Sequence, residues 1–98
     1  MKIAVASNGL SVSSSFSTCS NCNCYTIKDN RIADTQNIPT VAKVRDSLPT
    51  IMKEFGISVL ITGSIPEEIH KNFMDNGIKV VHGQSGHAIG AVQKYITQ

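Results

Sequence analysis

Residues Ser7 to Tyr25 read SNGLSVSSSFSTCSNCNCY, and the fold turns on how this stretch is taken. All three cysteines of the chain, Cys19, Cys22 and Cys24, fall in its last seven residues. Its first half is rich in serine, carries no charge and shows neither a helical nor a strand period. A short apolar run precedes it and another follows. A long polar loop that ends in clustered thiols inside a small domain points to a site rather than a linker.

Working outward, Lys2 to Ala6 has no charge after Lys2 and fits a strand buried on both faces. On the other side, Cys24 to Lys28 reads as a second strand and Arg31 to Thr35 as a third. Asp29-Asn30 between them is a hairpin turn, since both residues tolerate the left-handed region. Val41, Val44, Leu48, Ile51, Met52 and Phe55 then fall at helical spacing. Pro49 places the helix start near Ser47, and Gly56 stops it. Ile57 to Thr62 is almost wholly apolar and reads as a central fourth strand. Pro66, Glu67 and Glu68 open a second helix with Ile65, Ile69 and Phe73 inward, and Gly77 closes it. Ile78 to Val81 is a fifth strand. Ala88 to Ile96 is a last helix with Ile89, Val92 and Ile96 inward.

The β-hairpin is antiparallel, and the later strand–helix–strand units demand parallel strands. The expected fold is α/β and three-layered. It has a five-stranded mixed sheet of order 3-2-1-4-5 with strand 2 antiparallel, in a single domain over residues 1–98.

Composition narrows the function. An apolar fraction of 41% suits a folded chain, and a net charge of +2 without a basic run gives no case for nucleic acid or an anionic membrane. The apolar start is too short for a signal peptide and no segment could span a bilayer, so a cytoplasmic location is expected. In a reducing compartment, an odd, clustered set of thiols suggests metal ligands or free thiols before disulfides.

Ligands of open α/β sheets bind outside the carboxyl ends of the parallel strands. Those ends carry Ser7-Asn8-Gly9, Thr62-Gly63-Ser64 and His82-Gly83. The second strand starts at the same edge, so Cys19 and Cys22 are expected on one rim with His82. Cys-x-x-Cys-x-Cys suits zinc, copper or an iron–sulfur cluster, with a fourth position for His82, His87, water or an incoming cluster. The same Cys22 and Cys24, on one strand face, also fit small core residues. His70 falls beside the buried stripe and reads as solvent-facing. Ser11, Ser13, Ser14 and Ser15 are hydrogen-bond donors for sulfide or an oxyanion, or else plain loop.

Taken together, MKIAVASNG, Phe16 and Cys19, Tyr25, FGISVLITGSI and NGIKVVHGQSG resemble the dinitrogenase iron–molybdenum cofactor biosynthesis family over almost the whole chain. The resemblance implies a ribonuclease-H-like fold. It implies binding or carrying of an iron–sulfur or molybdenum-containing metal–sulfur cofactor, or its precursor, rather than catalysis. Many members have a His-Phe-Gly-Arg-Cys-like run where this chain has Ser15-Phe16-Ser17-Thr18-Cys19, so only Phe16 and Cys19 match. A second glycine usual after the fourth strand is missing from Gly63-Ser64-Ile65-Pro66, and Cys22 and Cys24 stand at positions usually apolar.

The expected cofactor contacts are therefore Ser7, Asn8, Phe16, Gly63, Ser64 and His82, with Cys19, Cys22 and Cys24 as metal ligands. The expected partners are the metal–sulfur cofactor and a protein that donates or accepts it. The chain is expected as a monomer or weak homodimer, and the cofactor is open to loss on purification. The alternative is a thiol redox or zinc-stabilised interaction module. A phosphoryl hydrolase is disfavoured, because two-metal chemistry needs several carboxylates and the rim loops have no Asp.

Overall fold

The computed structural model describes residues 1–40 and 47–97. Strand β1 spans Lys2–Asn8, β2 Ser11–Val12, β3 Asn21–Lys28, β4 Arg31–Pro39, β5 Ile57–Ile61 and β6 Lys79–Val81. Helix α1 spans Leu48–Glu54, α2 Glu67–Asp75 and α3 Ala88–Ile96, and a single 3-10 turn occupies Phe16–Thr18. Val41 and Val44, expected on the first helical face, lie outside the described residues.

The sheet is mixed and runs β4-β3-β1-β5-β6, with β2 pairing off this path onto β1. Strand β3 is antiparallel to both β1 and β4, whereas β1, β5 and β6 are parallel. Among the described residues the sheet thus has six strands, not the five expected from the sequence. The extra one is β2, whose two residues are too few to show a period. Gly9, at φ +67°, turns the chain so that Ser7 faces Val12 and Asn8 faces Ser11.

The hairpin strands are also longer than expected. Strand β3 begins at Asn21 and β4 continues to Pro39. Strand β4 is an edge, exposed along most of its length, so it lacks the alternation that reveals a half-buried strand. Proline is tolerated at such an edge. Asp29 and Asn30 take φ 53° and 59°, the two positive values that a tight hairpin turn requires.

Alternation along β1 divides the core between two faces. Ala4 and Ala6 face one side, with Cys22, Cys24 and Leu60 from neighbouring strands. Leu48 and Met52 of α1 and Phe73 of α2 cover them. Ile3 and Val5 face the other side with Tyr25, Val59 and Ile61, under Ala88 and Val92 of α3. Ala4 pairs with Cys24 and Ala6 with Cys22, so the first face has a floor of small side chains. That floor leaves depth for two rings, Phe16 and Phe73. Both are fully buried and meet edge to face, with centroids 5.5 Å apart at 84°.

Two apolar residues expected inward are outward. Phe55 is the C-cap of α1 and 46% exposed, because the helix ends one residue before it. Ile89 is also 46% exposed; the buried line of α3 is Ala88 and Val92, four residues apart, and Ile89 is rotated off it. Among the described residues, no helix is long and apolar enough to cross a membrane.

Replacing Phe16 by Ala leaves a cavity against Phe73. It should cost about 3–5 kcal/mol in urea unfolding, the range for an aromatic truncated in a packed core. A loss below about 1 kcal/mol would mean that Phe16 is not an anchor.

Candidate functional site

The polar stretch is not a loose loop. Ser13 donates its backbone N–H to Ala6 O at 2.8 Å and Val12 to Gly86 O at 2.8 Å, while Leu10 O accepts from Ala88 N at 2.8 Å. Further along, Gly63 N donates to Ser13 O at 3.0 Å, Ser64 N to Ser14 O at 2.9 Å and Phe16 N to Ser64 O at 2.8 Å. Residues 13–16 are thereby zipped to the loop after β5. Gly63 permits the approach: a Cβ there would collide with the carbonyl groups of Ser13 and Ser14.

Most polar side chains expected to meet a ligand hold this arrangement instead. The Ser7 hydroxyl is buried; it donates to Val5 O and accepts from Asn23 Nδ2 at 3.1 Å. Asn8 donates to Ser13 Oγ at 3.1 Å and accepts from Ser20 N at 3.0 Å. Ser13 Oγ donates to Ser15 O at 2.7 Å, and Ser15 Oγ accepts from Ser17 N to cap the 3-10 turn. Phe16 is a core anchor.

Cys19 and Cys22, expected on one rim with His82, do not line the cavity that holds His82; with Cys24 they pack into the core under α1 and α2. Cys19 and Cys22 have no exposed surface and Cys24 is 7% exposed, within the cluster that contains Leu48, Met52 and Phe73. Cys19 Sγ lies 4.0 Å from Thr40 Oγ1, which donates to Cys19 O at 2.7 Å. Burial pushes the Cys24 thiol up from its ordinary 9.0 to about 11, against a smaller opposite pull from Lys2. Among the described residues, no three or more His, Cys, Asp or Glu side chains form a group able to hold a metal ion.

Ser64 and His82 do meet at the rim. With Ile65, Glu67 and His70 they line a cavity of about 260 Å³. The imidazoles of His70 and His82 are neighbours, with centroids 5.8 Å apart and planes tilted by 59°. Sequence reasoning left His70 in solvent; it is half-buried, on the side of α2 that meets the end of β6. The available signal was its place three residues after Glu67, on one helix face. His87 lies apart, in a polar cavity of about 350 Å³ with Gly83, Gln84, Ser85 and Lys94.

Two outcomes follow. Cys19, Cys22 and Cys24 should react with a small aromatic disulfide reagent only as fast as the native state opens; prompt reaction of one thiol per chain would contradict the packing. The stability due to neutral Cys24 is fully present below about pH 9 and is lost as pH rises toward 11, because the unfolded thiol ionises first. Burial also raises Tyr25, which adds with the same sign. Chemical denaturation across that range should show a fall that Cys24→Ala reduces, by at most about 2 kcal/mol. An unchanged fall would remove Cys24 as a source.

Solved structures share this architecture. The crystal structure of PH0822 superposes with a TM-score of 0.90 at 20% identity, covering 99% of this chain and 89% of that one. The MJ0327 protein of Methanocaldococcus jannaschii, in its crystal structure, has a TM-score of 0.80 at 26% identity and covers 99% and 88%. The apo form of the orange protein from Desulfovibrio gigas has a TM-score of 0.78 at 20% identity and covers 98% and 87%. At 20% identity, PH0822 and the orange protein establish the fold alone. No curated protein matches the chain in sequence. Residues 1–98 match the family described as dinitrogenase iron-molybdenum cofactor, and the chain belongs to that family.

Proposed function

We propose that this domain binds and hands on a metal–sulfur cofactor or its precursor, iron–sulfur or molybdenum-containing, without transforming it. The observation that carries this reading is the rim cavity at the carboxyl ends of β5 and β6, where Ser64 and His82 stand together. Family membership supplies the cargo class. Imidazoles are ordinary partners for a metal, and the Ser64 hydroxyl, donating to Ser14 O at 3.1 Å, fixes the wall beside them. Among the described residues, Glu67 is the single carboxylate lining the cavity, too few for two-metal phosphoryl chemistry. A cytoplasmic donor protein would deliver the cargo to this open edge, or an acceptor protein take it from there.

In this reading the metal side of the cargo meets His82, and Cys19, Cys22 and Cys24 belong to the packed core rather than to the cavity. A second reading keeps the sulfurs as ligands. It is favoured by their membership of one buried cluster that also contains Phe16 of the polar stretch.

The experiment is anaerobic reconstitution with tetrathiomolybdate, and separately with ferrous iron and sulfide, followed by gel filtration and measurement of Mo, Fe and sulfide. The expected result is near-stoichiometric retention by the native chain and by Cys19→Ser, Cys22→Ser and Cys24→Ser, with loss in His82→Ala. Loss in the serine variants alone would favour the thiol reading. No retention of either species by the native chain would remove the carrier function.

A further inference from the structure

We propose that Thr62 is the positioning residue for His82: its buried hydroxyl accepts the Nδ1–H of that imidazole and leaves the Nε2 lone pair facing the rim cavity. This deepens the carrier reading and rests on it only for what the imidazole then meets.

Among the described residues, Thr62 Oγ1 is the one buried side-chain oxygen or nitrogen without a hydrogen-bond partner, and Thr62 has no exposed surface. An unpaired buried hydroxyl costs about 1–3 kcal/mol. Such a group persists where a partner arrives or a function requires it. Thr62 directly follows β5, at the carboxyl end of a central parallel strand, where ligands of open α/β sheets bind.

The sheet register names the partner. Leu60 is paired with Val80 and Ile61 with Val81. Backbone bonds carry this pairing past the strand ends, from Thr62 N to Val81 O at 3.0 Å and from Gln84 N to Thr62 O at 3.0 Å. The next neighbours in the register are Thr62 and His82. Leu60 and Val80 pack on the first sheet face, Ile61 and Val81 on the second, so alternation returns Thr62 and His82 to the first. The contact of the His82 ring with His70 of α2, which covers that face, agrees. On the other side of Thr62 the register places Ala6, whose methyl group offers no hydrogen bond. Neighbouring strands lie about 4.8 Å apart, a gap that a hydroxyl and an imidazole bridge with one hydrogen bond. His82 is exposed and borders the cavity of about 260 Å³, so its ring has room to turn onto Thr62.

The consequence is a choice of tautomer. In a neutral imidazole one nitrogen donates and the other accepts, and the bond made by one decides what the other presents. With Nδ1–H held by Thr62, Nε2 offers its lone pair to the cargo.

The test is nitrogen-15 NMR of the His82 ring in the native chain without cargo, at a pH where the imidazole is neutral, beside Thr62→Val and Thr62→Ser. The valine keeps the shape and removes the hydroxyl; the serine restores it. The expected result is a ring protonated mainly on Nδ1 in the native chain and Thr62→Ser, and mainly on Nε2 in Thr62→Val, with His87 and circular dichroism unchanged. The same tautomer ratio in the native chain and Thr62→Val would overturn the positioning role. Retention of tetrathiomolybdate separates it from the carrier reading, and should weaken roughly tenfold in Thr62→Val and recover in Thr62→Ser. A hydroxyl-dependent tautomer without retention by the native chain keeps the positioning role and removes the carrier function. Retention by the native chain with a tautomer indifferent to Thr62→Val removes the positioning role and leaves the carrier.

Discussion

The structure depends on a close backbone approach. Residues 13–16 lie against the loop after β5, and Gly63 N and Ser64 N donate to the carbonyls of Ser13 and Ser14. Only a residue without a Cβ fits at position 63. Once this zipper forms, Phe16 is carried over the small floor of Ala4, Ala6, Cys22 and Cys24 and meets Phe73. The polar residues of the stretch are then consumed by bonds to one another and to strand ends. A segment that is serine-rich in composition thereby behaves as part of the core.

The division of labour in the molecule follows from this. Covering the first sheet face with Phe16 and α1 buries the thiols and raises the Cys24 thiol toward its neutral form. The thiols are therefore enclosed by side chains where the sequence placed the metal chemistry. The same closure fixes the loop that carries Ser64, and so the wall of the cavity holding His70 and His82. The polar side chains lining that cavity are imidazole, hydroxyl and carboxylate.

Much of the fold was legible because its signals are local. The apolar run of β5, the Asp29-Asn30 turn, and the Ile65, Ile69 and Phe73 stripe beside α2 each follow from spacing and turn chemistry. What stayed hidden depends on contacts between distant segments. Strand β2 is two residues long and exists because β1 is beside it. Ile89 and Phe55 keep helical spacing yet lie off the buried line, since the helix end and rotation are set by packing. That Ser64 and His82 line one rim cavity was readable from strand ends alone, whereas the place of His70 beside them needed the position of α2 against β6. The cysteines were ambiguous in principle, as ligands and small core residues obey the same strand alternation.

The central claim, that the stretch from Ser13 to Phe16 is locked to Gly63 and Ser64, is tested most directly by native-state hydrogen exchange. The amides of Ser13, Phe16, Gly63 and Ser64 should open only with a free energy close to that of global unfolding. Exchange of these four amides at the rate of exposed loop tips, insensitive to the stability of the whole chain, would contradict the account. The imidazole cavity would then lack a fixed wall and the thiols a fixed cover.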